Sequence, residues 1–172
     1  MATRKPHRAG KKKAGPPTSA PAGTVGSGEF VVYPGVPTGM YDLLERLAAA
    51  AGDSPDFGSP GISLDRTRLT VRWFGEPPSA VQAVLRSAGT GFQIVVQPTE
   101  FRPGELRAEA ARLAGEHADV VAAATARPEG DGIEVLVPQA AAEAAGGPAS
   151  ALAHHGVTSD VPLFAEIGET PA

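Results

Sequence analysis

From Arg68 to Phe74 the chain alternates: Leu69, Val71 and Trp73 fall on one side, Arg68, Thr70 and Arg72 on the other. A period of two over that length marks a half-buried strand. It constrains everything around it, because a strand with one apolar side needs neighbours to pair with and a layer to bury against. Upstream, Ile62 and Leu64 alternate with Ser63 and Asp65, and the polar turn Asp65-Arg66-Thr67 predicts an antiparallel hairpin. Downstream, Pro77 and Pro78 occupy the first positions of a helix with Val81, Val84 and Leu85 on its inner stripe. Gly89-Thr90-Gly91 ends that helix. Phe92, Ile94 and Val96, opposed by Gln93, Val95 and Gln97, then predict a third strand closed by Pro98.

A helix is expected before the hairpin. Met40, Leu43, Leu44, Leu47 and Ala51 recur at helical spacing, with Thr38 as candidate cap and Gly52 as stop. After Pro103-Gly104 the order begins again. Leu106, Ala110, Leu113 and Ala114 form the inner side of a helix, residues 119–126 and 133–138 read as a hairpin around Glu129-Gly130-Asp131-Gly132, and residues 139–145 read as a weaker helix. Residues 160–167 give a final strand. Both 38–97 and 102–167 therefore read α-β-β-α-β, through duplication or through coincidence of element order.

The expected fold is α+β, with helices on one face of a mostly antiparallel sheet and two tandem α-β-β-α-β units, 29–98 and 99–167. Residues 168–172 form a short tail. Residues 29–33, EFVVY, add a short strand or clip. Residues 1–28 combine basic residues with Pro, Gly, Ser, Thr and Ala and lack an apolar period, so they read as a disordered tail.

Charge divides along the same boundary. Arg4, Lys5, Arg8, Lys11, Lys12 and Lys13 supply six of the 15 basic residues, leaving nine arginines against 19 acids in the rest. An acidic body is repelled by phosphate and by anionic lipid, so such a partner would be held by those six tail residues or by a local arginine patch. The absence of cysteine excludes disulfides, thiolate zinc sites and a cysteine nucleophile. No run reaches the roughly 18–20 apolar residues that span a bilayer. PPTSAPAGTVGSG stands where a secretory signal needs an apolar stretch, so the chain as written reads as cytoplasmic; a signal lying upstream would make it secreted.

No catalytic constellation, metal site or cofactor site stands out. His154-His155, with Ser150 and Asp160 nearby, has the residue types of a nucleophilic relay, but neither a nucleophile elbow nor an oxyanion-hole glycine pattern. Asp160 or Glu166 could complete a metal set with those histidines, yet an exposed loop explains them better. Glu105, Glu109 and Glu116 share a helix side with Arg112 between them, the pattern of a salt-bridged face in which each pair contributes about a few tenths of a kcal/mol. Gly89-x-Gly91 precedes a strand, the wrong context for phosphate. The exception is Arg68 and Arg72, with Arg66 at the turn. On an open sheet face they form a positive stripe suited to carboxylate or phosphate partners, and exposed-face Val95 and Leu136 suggest that the same surface is partly apolar, which favours a protein partner over nucleic acid.

Residues 63–113 and 120–138 carry a hairpin ending in aromatic-Gly-x-Pro-Pro, a short helix, a Val-rich strand, a second helix with an acidic-arginine face and a Gly-x-Glu-Val strand. In these features, over about 60–138, the chain resembles the domain preceding the catalytic domain in actinobacterial secreted trypsin/chymotrypsin-like serine proteases. The resemblance implies a non-catalytic pro-region type of domain, of the kind that assists folding of a protease and blocks it by strand pairing. No catalytic residue carries over, since the chain contains no protease domain. Taken with the open sheet edges, it points to a protein-binding module with Arg66, Arg68 and Arg72 as polar contacts and Trp73 as scaffold.

Overall fold

A computed structural model describes residues 35–169. The expected strand at 29–33, the tail 1–28 with its six basic residues, and residues 170–172 lie outside the described residues.

Helix α1, Thr38–Ala51, buries Met40, Leu43 and Leu47 completely. Each such side chain contributes about 1.5–3 kcal/mol relative to exposure. Pro37 takes the capping position and no side chain caps the helix, so Thr38 is the first helical residue rather than the cap. Gly52 stops it at φ 54°. Strand β1 is only Gly61–Ile62, and Leu64 is exposed in the turn instead of continuing it. The cause is Asp65, whose carboxylate accepts the Ser63 and Thr67 hydroxyls and the Thr67 N–H, curling 64–67 out of the ladder with Arg66 at φ 60°.

Strand β2, Arg68–Trp73, buries Leu69, Val71 and Trp73, as the alternation predicts. Helix α2, Ser79–Arg86, follows Pro77 and Pro78 rather than including them. Strand β3 is Gln93–Pro98. β1 pairs antiparallel with β2, but β3 pairs parallel with it, from Arg68↔Gln93 to Trp73↔Pro98. The sheet is therefore mixed, not mostly antiparallel. A helix between two adjacent strands carries the chain back over the sheet, and the second strand must then run in the direction of the first.

The second half repeats the arrangement. Helix α3 is Pro103–Glu116, β4 Ala123–Ala126, β5 Ile133–Val137, α4 Gln139–Ala145, α5 Pro148–His154 and β6 Leu163–Ile167. β4 pairs antiparallel and β6 parallel with the central β5. The α+β class holds: the described residues form five helices and two three-stranded sheets in the orders β1-β2-β3 and β4-β5-β6. Helix α5 was not foreseen. Gly147 is its cap and Pro148 its first residue, so the chain turns after α4 and resumes helix.

Each half has its own core. In the first, α1 and Val81 of α2 cover Leu69, Val71 and Trp73. In the second, Leu106, Ala110 and Leu113 of α3, with Ala142, Ala151 and Leu152, cover Ile133, Val135 and Val137. The halves meet along a polar seam. Gly104 N–H donates to the Pro55 carbonyl (2.7 Å), and Arg102 pairs with Asp56 (2.7 Å) while lying over the Phe74 ring; beside them, within the second half, Phe101 N–H donates to the Gly130 carbonyl (3.0 Å). Gly104 is packed so closely that a Cβ there would lie 2.6 Å from Pro55 Cβ.

Candidate functional site

The helices take one face of the first sheet, and the alternation of β2 leaves Arg68, Thr70 and Arg72 on the other. The parallel register sets Gln93, Val95 and Gln97 of β3 beside them in that order. The result is a polar face with Val95, half-buried, at its centre. Sequence reasoning placed the arginines there without their glutamine partners, since register across a crossover helix is not written in either strand alone.

The three arginines are not equivalent. Arg68 is exposed and adds its charge to Asp65, whose carboxyl is held below its ordinary pKa first by the Ser63 and Thr67 hydroxyls and the Thr67 N–H. Arg66 sits half-buried in the turn itself. Arg72 is largely occupied: one guanidinium nitrogen donates to the Ser59 carbonyl at 3.0 Å, and its Nε is shielded from solvent with no partner among the described residues. Its backbone is engaged as well, because Gly58 N–H donates to the Arg72 carbonyl (3.0 Å) and Phe57 bridges Trp73. The loop 53–60 thus lies along β2 as an irregular edge. From the other half Arg107 donates to the Phe57 carbonyl at 3.3 Å, so two arginines hold that loop.

The sheet face adjoins an edge. Gln93 N–H donates to Thr67 and Thr99 N–H to Trp73, so the odd-numbered residues of β3 face β2. The N–H and C=O of Ile94 and Val96 therefore point away from the sheet, and Val96 is 44% exposed. Pro98, next in that outward row, has no N–H to offer. In the second sheet the Gly168 N–H donates to Val137, which turns the backbone groups of Leu163, Ala165 and Ile167 outward along β6.

The remaining candidates fall into structural roles. Glu109 receives two bonds from Arg112 (2.6 and 2.8 Å) and one from the Ser159 hydroxyl (2.7 Å). These hold its carboxyl down at about 2, Arg112 being the larger cause. Arg112 also reaches Glu116 and the Thr158 carbonyl, tying α3 to the segment that leads into β6. His154 is the last residue of α5 and His155 its C-cap, so both stand at an exposed helix end rather than in a loop. His155 Nδ1 lies 2.9 Å from Asp119, which lowers the pKa of that carboxyl. Among the described residues no three His, Asp or Glu side chains converge as a metal-binding group, and no helix is long and apolar enough to cross a membrane. Compared with protein-family models and with curated proteins, the chain matches none.

Proposed function

We propose that this chain is a non-catalytic protein-binding module that pairs the outer edge of β3 with an extended segment of another protein, using the adjoining face around Arg68 for polar contacts. The observation that carries this reading is the juxtaposition of outward-facing Ile94 and Val96 backbone groups with Arg68, Gln93 and Gln97. Unpaired strand groups accept a partner strand, and neighbouring side chains supply selectivity. Of the three arginines, Arg68 makes the contact, Arg66 shapes the turn and Arg72 holds the scaffold. The resemblance of residues 60–138 to pro-region-type domains favours a trypsin-like serine protease as the partner.

Titration calorimetry of the full chain against a purified bacterial trypsin-like protease tests this. Binding should weaken at least tenfold with Val96→Pro, which deletes an outward N–H, and severalfold with Arg68→Glu. Binding unaffected by either substitution, or no binding, overturns the reading.

A second reading is favoured by the segregation of Arg4, Lys5, Arg8, Lys11, Lys12 and Lys13 from an acidic body: association with nucleic acid through the tail. It requires affinity that falls steeply with salt and is lost on deleting residues 1–28. Retention of nucleic acid by the deleted chain rejects it.

A further inference from the structure

A second edge strand, on the other sheet, lines a groove. Arg127 N–H donates to the Gly132 carbonyl at 3.0 Å, and Thr125 stands opposite Glu134. Alternation then turns the N–H and C=O of Ala124 and Ala126 away from β5. Neither has a backbone partner outside that ladder among the described residues. Helix α3 runs alongside and leaves a hollow of about 360 Å³ between itself and this edge. Its walls are Leu106, Arg107, Ala110 and Ala111 from the helix and Ala124 and Ala126 from the strand. The loop at Gly58-Ser59 and the turn at Pro128-Gly130 also border it. An edge strand facing a helix across an apolar trough admits one added strand, with main-chain bonds on one side and small side chains against the alanines on the other.

Charge narrows the occupant. Arg127, at the end of β4, is taken by Asp131 (2.8 Å) and lies over the Phe164 ring. Glu105, in the first turn of α3, is paired with Arg102. Arg107 is exposed and has no acidic partner among the described residues; Asp53, which borders a neighbouring hollow with it, is not within salt-bridge distance. An unbalanced guanidinium beside the groove, on a body with ten more acids than bases after residue 28, favours a carboxylate.

We propose that the groove between β4 and α3 is a peptide site for an extended segment of another protein, with small side chains and one Asp or Glu whose carboxylate meets Arg107. It lies on a different sheet from the β3 edge and stands independently of the role assigned there.

The experiment is selection of a randomised octapeptide display library on the full chain, and in parallel on Arg107→Glu. Wild type should enrich peptides with one acidic residue at a constant position among Ala, Ser, Gly and Val. The Arg107→Glu chain should lose that acid and enrich Lys or Arg in its place. The best acidic peptide should bind Arg107→Glu at least tenfold more weakly, while Val96→Pro leaves it unchanged. Amide exchange at Ala124 and Ala126 should slow when it is added, a readout independent of any folding defect in the variant. Failure to enrich, an acidic preference that survives Arg107→Glu, or protection at β3 or β6 instead of β4 overturns the proposal.

Discussion

Thr99 fills the space in which a Gly130 side chain would sit: a Cβ on Gly130 would overlap the Cβ and methyl of Thr99. Gly130 also has φ 73°, a conformation other residues adopt only under strain. These two residues join the end of β3 to the β4–β5 turn and so close the seam between the halves. Gly130→Ala should cost about 2 kcal/mol or more in urea unfolding, combining strain with the clash. A loss under about 0.5 kcal/mol would mean that the seam gives way freely.

The Thr99 hydroxyl is buried without a partner among the described residues. An unsatisfied buried polar group costs roughly 1–3 kcal/mol. Thr99→Val keeps the shape and removes that cost, so the thermal midpoint should hold or rise, by the equivalent of up to about 1 kcal/mol. A clear fall would show that the hydroxyl is satisfied in solution.

Glu109 ties pH to stability. Its folded pKa of about 2 lies below the ordinary 4.5, so its contribution is complete above the unfolded value and disappears as pH falls from about 5 toward 2. The bonded Arg112 is 38% exposed, and solvent screening reduces the effect to about 1 kcal/mol or less. Glu109→Gln should remove that part of the acid-side decline and lower stability at pH 7 by a similar amount. An unchanged slope between pH 5 and 2 would refute the assignment.

Arg72 and Arg68, four residues apart on one strand, should separate cleanly. Arg72→Ala releases the Ser59 carbonyl, so exchange at the Gly58 and Gly61 amides should quicken and stability should drop by about 1 kcal/mol. Arg68→Ala should leave stability within about 0.5 kcal/mol, its effect confined to partner binding. Equal effects of the two on stability would contradict this division.

How much was legible depended on whether the cause was local. Leu69-x-Val71-x-Trp73 needed only its own period, and the buried side of β2 followed. Leu64 failed because Asp65 captures neighbouring hydroxyls, a competition that hydrophobic alternation does not register. The direction of β3 and β6 failed because antiparallel hairpins were extrapolated across helices. The arginine stripe was half legible: its face came from periodicity, but the loss of Arg72 to Ser59 came from a loop 13 residues away. The groove beside Arg107 was invisible, since its alanines lie on two separate elements and periodicity assigned a face only to Ala110.

The placement of β6 has an implication for biosynthesis. Ile133 to Val137 gains its second neighbour only when residues 163–167 arrive over two intervening helices. Until the ribosome has released Ile167, that apolar ribbon has one flank bare, and a nascent chain held there is a substrate for chaperones or for its own kind.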